Sequence, residues 1–220
     1  GRELVLRVAD VCKKTIGEKN LYIATDSNKI ANKVKESGYK YILTSKNCLT
    51  GTDRVAEAAK KIKAKIYINV QGDEPLVNPR DIRRVINAKK IYPNHVICGY
   101  DKIHKLQDPK SLNLPKVVVN SKKELIYISR SLIPGSKKVK LNKNYFKQVC
   151  IYAFNKRELT EYVNFGRKGT LELYEDLEIL RFLDIGLTIR VVETENSSLA
   201  VDAPEDVKKV EEEMLRKVKN

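Results

Sequence analysis

Apolar positions along the first hundred residues recur at two alternating periods. Residues 3–15, "ELVLRVADVCKKT", carry them at helical spacing, and "LYIATD" (21–26) is a short β-rich run ending in Asp26. "NKIANKVKESG" (28–38) returns to helical spacing and closes on Gly38, and "YKYILTS" (39–45) is strand-like. "TDRVAEAAKKIK" (52–63) opens on a Thr cap and runs as a helix, "AKIYINV" (64–70) is a strand, "NPRDIRRVINAKKI" (78–91) is a helix with an early Pro, and "HVICGY" (95–100) is a strand. Strands that alternate with helices predict βαβ units, hence an α/β fold of three layers around a mostly parallel central sheet. In such sheets ligands bind beyond the carboxyl ends of the strands, which places Asp26, the loop 46–51 and Gln71–Glu74 on one edge.

The pattern changes after residue 100. "KVVVNSKKELIYIS" (116–129) reads as a hairpin with a polar turn and "YFKQVCIYAF" (145–154) as a long strand. "KRELTEYVNF" (156–165) and "TLELYEDLEILRFLDIG" (170–186) read as helices, "LTIRVVE" (187–193) as a strand and "APEDVKKVEEEMLRKVK" (203–219) as a terminal helix. No repeat or low-complexity linker interrupts the chain. The expectation is one domain over 1–220 with a β-rich insertion at about 101–150.

Composition adds constraints. With 42% hydrophobic residues a sizeable core is affordable, and no run approaches the roughly 18 apolar residues of a membrane span. "GRELVLRVAD" is charged and amphipathic, unlike a signal peptide, so a cytoplasmic protein without a membrane partner is expected. Cys12, Cys48, Cys98 and Cys150 lie far apart without zinc-ligand spacing and are expected as reduced, mostly buried thiols. The formal charge of +15 suits nucleic acid or anionic small molecules, but the lysines are dispersed and no nucleic-acid module accompanies them. The expected partner is therefore small and anionic, not nucleic acid.

Several short stretches could carry chemistry. In "INVQGDEP" (68–75) Gly72 is expected to permit a tight turn, from which Asp73 projects at the end of a strand. Such a carboxylate suits Mg²⁺ together with substrate phosphates, or is a solvated turn acid. Asp202 in "AVDAPEDV" (200–207) is a second carboxylate for the same metal, or the cap of the last helix. "TGTDR" (50–54) is a Gly-bearing helix entry whose N–H groups could hold a ligand, or a simple capped helix. Arg130 in "ISRSLIP" (128–134) could clamp a carboxylate bidentately or form a surface ion pair. Glu172, Glu175 and Glu178 fall at three-residue steps, the spacing of a solvated stripe.

Taken in order, "TGTDRVAEA", "INVQGDEP", "YISRSLIP", "IYAF", "LEILRFL" and "VDAPEDV" resemble the 3-deoxy-manno-octulosonate (Kdo) cytidylyltransferase family over nearly the whole chain. The resemblance implies a nucleotide-diphospho-sugar-transferase fold and a homodimer whose β-rich insertion serves dimerisation and sugar binding. It implies a reaction in which the anomeric hydroxyl of an acid sugar attacks the α-phosphorus of CTP. The product is a CMP-sugar, of the kind that feeds cell-envelope glycans. It also implies roles: Asp73 and Asp202 as Mg²⁺ ligands, Arg130 on the sugar carboxylate, Gln71, Gln148, Tyr152 and Glu178 on the sugar, and Thr50, Gly51, Thr52 and Arg54 near the cytosine nucleotide.

Three features depart from the family pattern. The strand and phosphate-binding loop with which the family opens, "IPAR…S.RLPGKPL", find no match, because "GRELV" aligns with a later segment. The expectation is that the numbered chain is an incomplete view of the protein, since losing a central strand would leave an exposed sheet edge and a hole in the core. Gln148 stands where the pattern "RH.GIY" has His, and Ile179 where it has Gln. Both changes touch the sugar pocket, which leaves open an amino-Kdo or nonulosonic acid substrate, another nucleotidyltransferase, or a non-catalytic protein binding nucleotide or a partner.

Overall fold

The computed structural model describes residues 2–103, 107–135, 137, 145–195, 200–201 and 204–219. In chain order these form α1 (Leu4–Ile16), β1 (Ile23–Thr25), α2 (Asn28–Glu36), β2 (Tyr41–Leu43), α3 (Gly51–Lys61), β3 (Tyr67–Val70), α4 (Pro79–Ile91) and β4 (Val96–Lys102). Then follow β5 (Lys116–Val119), β6 (Leu125–Ser129), β7 (Phe146–Phe154), α5 (Lys156–Asn164), α6 (Thr170–Glu175), α7 (Leu180–Asp184), β8 (Ile189–Glu193) and α8 (Pro204–Lys219). Local chemistry explains the helix starts. Ser27, Thr50, Asn78 and Asn155 each accept a hydrogen bond from a first-turn N–H, and Pro79 follows Asn78 where its missing N–H costs nothing. Gly38 and Gly186 stand just past helix ends at φ of 79° and 78°, a conformation that other L-residues resist.

Two apolar clusters face opposite sides of the sheet. On one, Tyr67, Cys98, Tyr152, Phe154 and Val191 pack against Ala56 and Ala59 of α3, Leu159 and Tyr162 of α5 and Phe182 of α7. On the other, Ile97, Val149, Ile151 and Ala153 pack against Leu6 and Ala9 of α1 and Ile82 and Val85 of α4. The three-layer α/β arrangement is therefore present. The sheet itself is mixed. β4 and β8 pair in parallel, and β3 shares their direction because both β3 and β4 pair antiparallel with the intervening β7. The β5–β6 hairpin adds antiparallel pairs at one end, inside the stretch expected as an insertion.

β1 and β2 form a separate parallel pair. Among the described residues β1 pairs only with β2 and β3 only with β7, and residues of both strands line one groove of about 800 Å³. The walls are Val8, Ala9 and Cys12 on one side and Val55, Ala58 and Ile62 on the other. Among the described residues no helix is long and apolar enough to cross a membrane, and all four cysteines are free thiols, with Cys12 and Cys98 buried. Burial pushes the Cys12 thiol up to about 11.

The expected long helix over 170–186 is two short ones. Asp176 takes a left-handed backbone (φ 49°), so α6 ends and the chain turns before α7. The glutamates at three-residue steps therefore do not form a solvated stripe: each points to a different partner. Glu172 is buried against Arg181, Glu175 accepts from Ser129 and Arg130, and Glu178 lands beside α3.

Candidate active site

Glu178 is where distant segments meet. One carboxylate oxygen accepts the Thr52 backbone N–H at 2.7 Å, and the other accepts the Gln71 amide at 3.2 Å. The first turn of α3, the end of β3 and the turn between α6 and α7 thus share one group. Gly51 makes the approach close: a Cβ there would lie 3.4 Å from Glu178 Oε2. Burial pushes the Glu178 carboxyl above its ordinary value, and the hydrogen bonds it accepts pull partly the other way. A carboxylate at a helix N-terminus is favoured by the exposed N–H groups and the helix dipole.

Around this junction the α3 entry is tightly built. The Thr50 hydroxyl donates to Asp53 Oδ2 at 2.7 Å and lies 3.1 Å from the Tyr162 hydroxyl, whose oxygen is 3.2 Å from the Glu178 carbonyl. Thr52 is buried. Arg54 bridges the ends of the β1–β2 pair, donating to Thr44 Oγ1 at 2.5 Å and pairing with Asp26 at 3.2 Å. Asp26, the 46–51 loop end and Gln71 do therefore gather at one edge.

The "QGDEP" turn differs from the expectation at Gly72. Its φ is not in the positive range, and a Cβ would meet only Val5 at 3.6 Å, an ordinary contact, so the turn does not depend on glycine freedom. Asp73 is half-buried in the turn. Its carbonyl accepts the Val201 N–H at 2.9 Å. The residue after Val201, Asp202, lies outside the described residues. Among the described residues no group of three His, Cys, Asp or Glu side chains could hold a metal. What the structure offers Mg²⁺ is the Asp73 carboxylate and a backbone contact bringing the segment before Asp202 against it. An oxygen-only donor set of that kind fits a hard cation.

The remaining expected sugar contacts sit deeper or are already engaged. Tyr152 is buried, its hydroxyl accepts the Gln148 amide at 2.7 Å, and burial pushes its pKa well up. Gln148 is itself buried. Where the family pattern has His, this chain thus has an amide held by a tyrosine. Among the described residues Arg130 forms no ion pair with a side chain. Its guanidinium donates to three backbone carbonyls: Glu175 at 2.6 Å, Leu112 at 2.9 Å and Asp176 at 3.2 Å. Its backbone N–H donates to the Glu175 carboxylate at 2.7 Å. Three of the five N–H groups of this arginine are engaged, and they fix the turn that delivers Glu178. Arg181 and Asp53 escaped the sequence reading. The hint was there, since an arginine in the middle of "LEILRFL" on an otherwise apolar helix face requires a buried partner.

A sequence profile of the family described as Cytidylyltransferase matches residues 1–189. The 3-deoxy-manno-octulosonate cytidylyltransferase of Flavobacterium johnsoniae is 32% identical over 99% of this chain and 90% of its own length. The chain belongs to the cytidylyltransferase family. The resemblance to the Kdo enzymes is thereby shown. The 8-amino-3,8-dideoxy-manno-octulosonate cytidylyltransferase of a Shewanella strain is 33% identical, over 97% of this chain and 89% of the relative. Among solved structures, a CMP:2-keto-3-deoxy-manno-octonic acid synthetase complexed with CTP superposes with a TM-score of 0.89 at 31% identity, covering 99% of this chain and 89% of that one.

Proposed function

We propose that this protein activates an acid sugar, Kdo or a close relative, by transfer of CMP from CTP. The observation that carries the proposal is the junction at Glu178, where the α3 entry and the β3 end meet through one carboxylate. The Kdo and amino-Kdo names of the relatives, and the CTP in the similar solved structure, supply the substrate class. In the transfer, the anomeric oxygen forms a bond to the α-phosphorus, the bond from that phosphorus to the bridging oxygen breaks, pyrophosphate leaves and the hydroxyl proton is lost. Two anions must meet, so their repulsion has to be offset and their approach aligned.

The residues divide the work. Thr50, Gly51, Thr52 and Arg54 form a polar, backbone-lined rim for the nucleotide. Gln71 and Glu178 border it on the side assigned to the sugar, with Gln148 and Tyr152 beneath. Arg130 can give the sugar carboxylate at most two N–H groups without releasing the turn it holds. Asp73 and Asp202 would hold Mg²⁺, which when bound supplies positive charge against the phosphates. A homodimer, as the family resemblance implies, and a cytoplasmic location, as expected from the composition, accompany the proposal.

The test is pyrophosphate release by the full-length protein with Mg²⁺, CTP or ATP, and a panel containing Kdo, 8-amino-Kdo and a nonulosonic acid. Release with CTP and one of the octulosonates is expected. Equal release with ATP and CTP, or none with any acid sugar, would overturn the proposal.

A further inference from the structure

Arg181 is 1% exposed yet carries a full charge. It stands in α7, outside the set of residues that border the substrates. Its Nε and Nη2 donate to the two oxygens of Glu172 at 2.6 and 2.7 Å, a fork-to-fork pair within the α6–α7 segment. Its Nη1 reaches out of that segment to Asp53 Oδ1 at 2.9 Å. The guanidinium carbon also lies 3.9 Å from the centroid of the Tyr162 ring.

Both outward contacts lead to the same place. Asp53 is in the first turn of α3, and its second oxygen accepts the Thr50 hydroxyl at 2.7 Å. Tyr162, under the guanidinium, brings its hydroxyl to 3.1 Å from Thr50 Oγ1 and 3.2 Å from the Glu178 carbonyl. The helix entry assigned to the nucleotide is thus held from behind by one buried cation, through two separate routes. A buried ion cluster is a poor way to gain stability, because desolvating its members offsets much of their attraction. What it does give is a fixed geometry: a planar fork has few alternative poses.

We infer that Arg181 and Asp53 form a positioning pair that sets the α3 entry for CTP. The inference rests on the nucleotide assignment of Thr50–Arg54 and adds that the assignment depends on residues that touch no substrate. Arg181→Lys keeps the charge and loses the fork, while Asp53→Asn keeps the shape and loses the charged leg. Asp53→Asn leaves the Arg181–Glu172 pair whole, so it remains informative if Arg181→Lys folds poorly.

The experiment measures CTP binding by calorimetry, and KM for CTP and for the sugar, in the full-length protein, each single variant and the double variant, well below their melting temperatures. Each single variant is expected to raise the CTP dissociation constant and KM about tenfold, the scale of a contact-pair coupling, with sugar KM changed less than about twofold. The double variant should fall short of the product of the singles, because both break the shared Arg181–Asp53 link. Folded variants that bind CTP like the parent, an equal loss for both substrates, or a double effect equal to the product of the singles would overturn the inference. If the unaltered protein binds no CTP, the nucleotide assignment falls and the inference with it. If it binds CTP and the variants bind it equally well, only the positioning pair falls.

Discussion

Arg130→Lys separates two roles that one arginine could play. As a substrate clamp, Arg130 would lend its fork to a carboxylate, and the change would weaken the sugar alone. The structure shows the fork holding the carbonyls of Leu112, Glu175 and Asp176. A lysine can satisfy one of these, so two charge-assisted hydrogen bonds are lost. Such bonds contribute about 1.5–3 kcal/mol each when shielded. The legs to Leu112 and Asp176 face solvent, where water replaces much of the loss, so about 2 kcal/mol in total is a reasonable figure. For a chain of this size that corresponds to a fall in melting temperature of about 4–8 °C. Asp176 is two residues before Glu178, so a slackened turn also loosens the carboxylate that caps α3. The expected result is a lower melting temperature in calorimetry, with KM rising for both CTP and the sugar. A melting temperature within about 1 °C of the parent, with the KM rise confined to the sugar, would refute the turn-holding role and return the fork to the substrate.

Glu178→Gln should lower turnover sharply while leaving the protein at least as stable at neutral pH. The folded-state pKa is raised by burial, so the folded protein binds this proton more tightly than the unfolded chain, and the group's contribution to stability declines as pH rises above the ordinary carboxylate value of 4.5. Melting curves across that range should be flatter for the Gln variant, and a variant that melts well below the parent at pH 7 would contradict the burial argument. Lys89→Met removes one half of a buried pair in which the ammonium lies 2.6 Å from both Glu158 oxygens. Glu158 keeps the Asn155 N–H, so a cost near the lower end of the range for orphaned buried charges, about 3 kcal/mol, is expected from urea denaturation. Adding Glu158→Leu should recover much of it, and a single-variant loss under about 1 kcal/mol would mean that the pair is hydrated.

The alternation of helices and strands was legible because each element carries its period and its caps. The cap expected at Thr52 is instead Thr50, two residues earlier, with Thr52 buried in the first turn of α3, while Ser27, Asn78 and Asn155 cap helices whose starts were expected from periodicity within a residue or two. The direction of β7 was not legible. "YFKQVCIYAF" reads as a buried strand whichever way it runs, and only its pairing with both β3 and β4 fixes it as antiparallel. The break between α6 and α7 was missed for a related reason. Asp176 in a left-handed conformation violates local preference, and the conformation is held by long-range contacts, from Arg130 to the carbonyls of residues 175 and 176.

The same break shows why motifs point to candidate residues and yet not to their arrangement. A continuous helix over 170–186 would line up Glu172, Glu175 and Glu178 near one face. Turning the chain at Asp176 instead sends Glu172 inward to Arg181, lets Glu175 anchor the end of β6, and frees Glu178 to reach Thr52 and Gln71. Motif spacing records which residue types are present, but the junction depends on a backbone conformation that three other segments enforce. Arg130 just after β6, Arg181 from α7 and Tyr162 from α5 all converge on this turn or on the α3 entry. The strain sits where the site is assembled and is borne by the surrounding scaffold, so substitutions behind the site should alter substrate handling as well as stability.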